Sequence, residues 1–212
     1  MLEIKSDNDF KDFIDENLMF YTLLSFLKTR KKLKIYFPTP AVIEKSESPD
    51  FVIKCNPKST GVEICSASPQ NMRYASAIIK KIPKNSLIEL DPNLFDKEIL
   101  DRDEVKKYIK RPKENLTGYG WNGYHMEHSW AQNIIKLIKH KTMKLNTNYT
   151  IYDRNILLVD GDFLILREYE IANNYLKDYF NKIDLTNDFD TVFNDIFIIS
   201  KIRNALLLNI SI

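Results

Sequence analysis

Asp50 and Glu63 stand in two short β-rich runs, Asp50-Phe51-Val52-Ile53 and Gly61-Val62-Glu63-Ile64-Cys65, joined by the turn-forming Asn56-Pro57-Lys58-Ser59-Thr60. The pattern predicts a hairpin, because β-forming residues flank a segment rich in Asn, Pro and Ser. Residues about a dozen apart around such a turn lie side by side on paired strands. Two neighbouring carboxylates can hold a divalent ion, since hard cations take oxygen ligands. An ion held there can neutralise developing charge and activate a water for attack.

Two further charges occupy positions that helical periodicity turns inward. Glu16 lies three residues after Phe13 and four before Phe20, on the apolar stripe of an N-terminal amphipathic segment. Lys141 lies three after Ile138 and four before Leu145, on the stripe of a second helix. Burying a charge is costly without a partner, so each position implies either an internal ion pair or chemistry; Lys141 has the further alternative of snorkelling from the helix edge. Asp50 after Pro49 is also ordinary turn chemistry. His125, Glu127 and His128 form a short His/carboxylate group. Without the usual HExxH order or a nearby cysteine, a decorated helix start is the simpler account than zinc.

The elements that must position these groups follow from pattern. An amphipathic helix runs from Phe10 to the basic Lys28 to Lys32 end, after N-cap candidates Ser6 to Asp9. Leu33 to Phe37 and Ala41 to Glu44 are expected as strand pieces broken by Pro38 and Pro40. The Asp50/Glu63 hairpin follows, then a helix over Asn71 to Lys81 and a short strand over Leu87 to Leu90. Residues 92–125 are expected as an insertion. A helix beginning at Glu127 carries Trp130, Ile134, Leu137, Ile138 and Leu145 as its stripe. Asn155 to Val159 is expected as a core strand, 168–183 as a helix and Asp195 to Ser200 as another strand.

With 212 residues, 44% hydrophobic and 28% charged, the chain is expected to form one domain with a full core. Cys55 and Cys65 provide no disulfide framework. They flank the hairpin, where they can face each other, and a reduced, cytoplasmic setting is expected. No signal-like N-terminus or long apolar run is present. The net charge of +2 is small but unevenly spread. Basic residues gather at Lys28 to Lys34, Lys106 to Lys113 and Lys136 to Lys144, and acidic ones near Asp178 to Asp195; solvated faces are the plain account of each cluster. Three of the five glycines fall in the loop Gly118-Tyr119-Gly120-Trp121-Asn122-Gly123. Its aromatics either stack on unpaired bases or pack on their own domain.

The Asp50 strand, the Glu63 strand and the passage Ile138-Lys139-His140-Lys141-Thr142-Met143-Lys144-Leu145, Tyr149, Ile156-Leu157-Leu158-Val159 resemble the PD-(D/E)XK phosphodiesterase superfamily. The resemblance covers roughly residues 6–65 and 125–160. It implies an α/β restriction-endonuclease-like fold, a mixed sheet flanked by helices. It also implies a Mg²⁺- or Mn²⁺-dependent endonuclease hydrolysing nucleic acid, DNA first. Asp50 and Glu63 match the metal-binding pair, and Glu16 matches an accessory acid. Cys65 stands where the family places a Lys, and a neutral thiol cannot replace that cation. Lys141 then matches a Lys migrated to a helix, with Lys144 second. Substrate contacts are expected from Lys31, Lys32, Lys107, Lys110, Arg111, Trp121 and Lys144. The alternative is a catalytically inactive nuclease fold serving as a nucleic-acid-binding or protein-interaction module.

Overall fold

The computed structural model describes residues 2–4, 23, 33–38, 40–83, 88–91, 94, 97–110, 124–161, 168–200 and 205–211. Among these, seven strands form one mixed sheet in the order β1-β2-β3-β4-β7-β8-β9. They are β1 (Leu2–Ile4), β2 (Ala41–Lys45), β3 (Phe51–Cys55), β4 (Lys58–Ser66), β7 (Arg154–Asp160), β8 (Asp195–Ser200) and β9 (Ala205–Ser211). A separate pair joins β5 (Glu89–Leu90) to β6 (Ile109–Lys110). The helices are α1 (Leu33–Tyr36), α2 (Gln70–Ile79), α3 (Arg102–Lys106), α4 (His125–Thr147), α5 (Tyr169–Phe180) and α6 (Leu185–Asp188). The protein is therefore α/β with a mixed sheet.

β1 to β4 form an antiparallel meander, whereas β4, β7 and β8 run parallel. Parallel neighbours need crossover connections, here α4 between β4 and β7 and α5 between β7 and β8. Strands covered on both faces read as continuous apolar runs, which explains Ile156-Leu157-Leu158-Val159 and Ile196-Phe197-Ile198-Ile199. Their alternate side chains feed two cores. Leu157, Val159, Ile196 and Ile198 meet Trp130, Ile134 and Ile138 of α4 and Ala172 and Leu176 of α5. Ile156, Leu158, Phe197 and Ile199 meet Leu23, Tyr36 and Phe37 on the opposite face.

The hairpin forms where the turn chemistry places it, with Phe51 opposite Val62 and Cys55 opposite Lys58. Gly61 is required there, because a Cβ would stand 2.7 Å from a ring carbon of Tyr152. Both Ser48-Pro49 and Asn56-Pro57 are cis.

Several expectations need correction. Leu33 to Tyr36 is a helical turn rather than a strand: its Tyr36 ring sits edge-on against Phe197, which packs it across the sheet instead of along it. Cys55 and Cys65 do not face each other. They are free and belong to opposite cores, because strand alternation sends them to opposite faces. The acidic Asp178 to Asp195 stretch is not all solvated face, since Asp195 is fully buried. β1 and β9 complete the sheet edges without having been expected from pattern. Apart from Leu23, the segment expected as the N-terminal helix, Glu16 included, and the glycine-rich aromatic loop lie outside the described residues. Among the described residues no helix is long and apolar enough to cross a membrane.

Candidate active site

Phe51, Ile53 and Cys55 of β3 point to the core that also holds Val62. Alternation therefore sends Asp50 and Glu63 to the other face, beneath α4. Continuing the register from the Phe51–Val62 pair sets Asp50 opposite Glu63. Asp50 precedes β3, and its Oδ2 accepts the Ile64 backbone N–H at 2.6 Å. A side chain thus takes the place of a strand carbonyl at the end of the ladder, which fixes the carboxylate against β4.

Glu63 is buried in β4. Its Oε1 accepts hydrogen bonds from the Lys141 ammonium and from the Tyr149 hydroxyl, the latter at 2.8 Å. Lys141 Nζ also lies 3.4 Å from the Tyr149 oxygen. Lys141 reaches inward because Ile138 and Leu145 anchor its helix face in the core. Tyr149 follows the last turn of α4, capped at Asn148, in the link that leads into β7 beside β4. Breaking such a buried pair by removing one partner costs about 3–5 kcal/mol. The pair is therefore structural as well as chemically suggestive.

The electrostatics are those of a small, sheltered cluster. Burial pushes the Asp50 carboxyl above its ordinary range, against the pull of the Ile64 N–H, and the Glu63 charge adds to the rise. For Lys141, burial disfavours the charged form, but the hydrogen bond and charge of Glu63 outweigh it and hold the ammonium protonated. The Tyr149 hydroxyl is pushed up to about 12 by burial and by Glu63, so it donates rather than ionises. Burial likewise pushes the Cys65 thiol to about 12. Cys65 is thus an uncharged neighbour of the cluster and supplies no nucleophile.

Asp50, Glu63 and Lys141 are accordingly brought together. Lys144 is half-buried one turn further along α4, and Lys107 is exposed after α3, whose Lys106 pairs with Asp103. Lys110 belongs to β6. Glu16, Lys31, Lys32, Arg111 and Trp121 lie outside the described residues. Lys141 is not the sole charge directed inward from its helix, because Glu127 is also buried and its Oε1 accepts the Glu168 N–H at 3.3 Å. His128 bonds the Tyr179 hydroxyl and stacks edge-on against Tyr175. Among the described residues no three His, Cys, Asp or Glu side chains converge as a metal cage.

The role of Tyr149 was missed from sequence, although a tyrosine just past the helix end was visible. A second polar assembly was missed as well. Arg154 donates Nε and Nη2 to Asp195 Oδ2 at 2.7 and 2.6 Å. Its guanidinium lies 4.2 Å from the Tyr36 ring centre. Ser211 Oγ donates to Asp195 Oδ1 at 2.9 Å. The signal available was an aspartate opening an apolar strand. These groups line a cleft of about 480 Å³ at the amino ends of β4, β7 and β8, away from Glu63. Comparison with family models, curated proteins and solved structures returned no match.

Proposed function

We propose that this protein is a divalent-metal-dependent phosphodiesterase acting on nucleic acid, DNA first, built on a restriction-endonuclease-like framework. The observation that carries the reading is the placement of Asp50 and Glu63 on one sheet face with the Lys141 ammonium bonded to Glu63. The mixed sheet with α4 crossing between β4 and β7 supports it, since a mixed sheet flanked by helices is what the resemblance implies.

The donor set fits Mg²⁺ or Mn²⁺ in one particular mode. Mg²⁺ commonly takes one or two carboxylates and fills its other positions with water and substrate phosphate. Glu63 Oε2 and Asp50 Oδ1 accept no hydrogen bond from another described residue. They are the oxygens that would hold the ion. When bound, the ion would offset charge on the phosphoryl group and lower the pKa of a bound water. The chain's own residues do the remainder. Lys141 supplies a cation beside the reacting phosphate, and Tyr149 keeps Glu63 in one orientation. Fixed charges in a sheltered site need no reorganisation as charge develops, which is the source of their catalytic value. Cytoplasmic residence belongs to the same reading.

The test is cleavage of single- and double-stranded DNA and RNA with Mg²⁺, Mn²⁺ or chelator. Wild-type protein should cleave only with metal, and Asp50→Asn, Glu63→Gln and Lys141→Met should each lose about 10²-fold or more. Metal-independent turnover, or full turnover in Glu63→Gln, would refute the proposal. A second reading is favoured by one observation, the uncharged Cys65 two residues after Glu63: an inactive nuclease fold that binds nucleic acid. Binding in Ca²⁺ without cleavage in Mg²⁺ or Mn²⁺ would select it.

A further inference from the structure

Glu63 Oε1 is held by two donors at once, and those donors also meet each other. The Lys141 ammonium and the Tyr149 hydroxyl both bond this oxygen, and 3.4 Å separates Lys141 Nζ from the Tyr149 oxygen. The three groups close a triangle. It is sheltered, with the Lys141 and Glu63 side chains only 16% and 6% exposed. Glu63 is thus already charge-compensated by a cation that belongs to the chain. A divalent ion shared between Asp50 and Glu63 would arrive next to that ammonium, and like charges repel strongly where water is scarce.

We infer that Lys141 is the resident counter-cation of Glu63, whose charge on Oε1 opposes a divalent ion held on the neighbouring Oε2, with Tyr149 as the positioning residue that stabilises this closed state. The inference rests on the reading of Asp50 and Glu63 as metal ligands. An ion on Oε2 and Asp50 Oδ1 would repel the ammonium from Oε1, which frees it for a phosphate oxygen. Tyr149 keeps its bond to Glu63 during that exchange, so the carboxylate does not swing away. The ion pair holds divalent affinity down while keeping a buried carboxylate compensated in the ion-free protein.

Calorimetric titration of the full chain with Mg²⁺ and with Mn²⁺ tests this without any turnover. Lys141→Gln removes the charge but keeps a donor for Glu63, which limits the damage to folding. It should bind the ion at least about tenfold more tightly than wild type, equivalent to ~1.4 kcal/mol. Tyr149→Phe, which leaves every charge in place, should bind about two- to threefold more tightly because it removes the Lys141–Tyr149 bond, which only the closed state makes. Asp50→Asn should weaken the heat signal in either background. Equal or weaker binding in Lys141→Gln would overturn the inference. Should that variant fail to fold, unchanged or weaker binding in Tyr149→Phe would overturn it instead. An absence of divalent binding in all variants would overturn both this inference and the metal-dependent reading. Tighter binding without any nucleic-acid cleavage by wild type would support the counter-cation role and remove the nuclease reading. Cleavage with weakened ion binding in Lys141→Gln would do the reverse.

Discussion

Tyr152 packs its ring over the bare Cα of Gly61, leaving only 2.7 Å between its Cδ2 and the place a Cβ would take. Pro49 Cγ lies 3.0 Å from the same point. Neither a ring carbon nor a proline ring yields easily. Gly61→Ala should therefore cost about 1–3 kcal/mol, as overpacking of a filled site does. Because Pro49 precedes Asp50, the same change should disturb the Asp50–Ile64 bond. Urea unfolding and the Ile64 amide resonance report on the two effects, and an unchanged midpoint would refute the packing argument.

Arg154 should be a major contributor to stability. Asp195 is fully buried and takes both Arg154 bonds on Oδ2. Arg154→Met leaves that charge without its cation and should cost about 3–5 kcal/mol in chemical denaturation. The double variant Arg154→Met/Asp195→Asn should recover part of the loss. A single-variant cost within experimental error of zero would show that the pair contributes nothing.

Asp153 gives a pH signature. The Ser59 backbone N–H, then the Ser59 hydroxyl, hold its carboxyl below the ordinary 3.8, at 2.8 and 3.0 Å. A lowered folded-state pKa means that the tether's stabilisation is present above 3.8 and fades as pH falls through the lower value. Carboxyl NMR titration should place Asp153 below 3.8, and Ser59→Ala should move it part of the way back. A wild-type titration at or above 3.8 would refute the tether.

Substrate contact by Lys144 follows from the nuclease reading. If Lys144 neutralises a phosphate, Lys144→Ala should weaken binding evenly across sequences and reduce the salt slope by about 1. Affinities across a salt series in Ca²⁺ measure this. An unaltered slope would remove Lys144 from the interface.

What sequence made legible was periodic. The two-residue alternation around Asn56 to Thr60 located the hairpin and its carboxylates, and the 3.6-residue stripe of α4 turned Lys141 inward. Leu33 to Tyr36 misled because Leu-Lys-Ile-Tyr alternates like a strand, while its Tyr36 is held by Phe197 far along the chain. Tyr149 and Glu63 are 86 residues apart, and Arg154 and Asp195 are 41 apart. Partnerships across that much chain leave no periodic trace; they arise only when strand order is set. Glu127 has the pattern of a helix start, and nothing local announces that it turns inward to the Glu168 amide.

The parallel pairing of β4 with β7 has a consequence for the order of assembly. The Asp50–Ile64 bond closes across 14 residues, but the Glu63–Lys141 bond closes across 78. Each doubling of a loop adds about 0.6 kcal/mol of closure entropy, and non-local pairings form later and more slowly. A hairpin closed before its lysine arrives would hold two neighbouring carboxylates with no counter-charge, so on closure entropy alone the pairing of Asp50 with Glu63 is cheap but unrewarded until α4 is in place. In the finished fold the Lys141–Glu63 contact ties one position of α4 to one position of β4, so a helix slipped along the sheet would forfeit it.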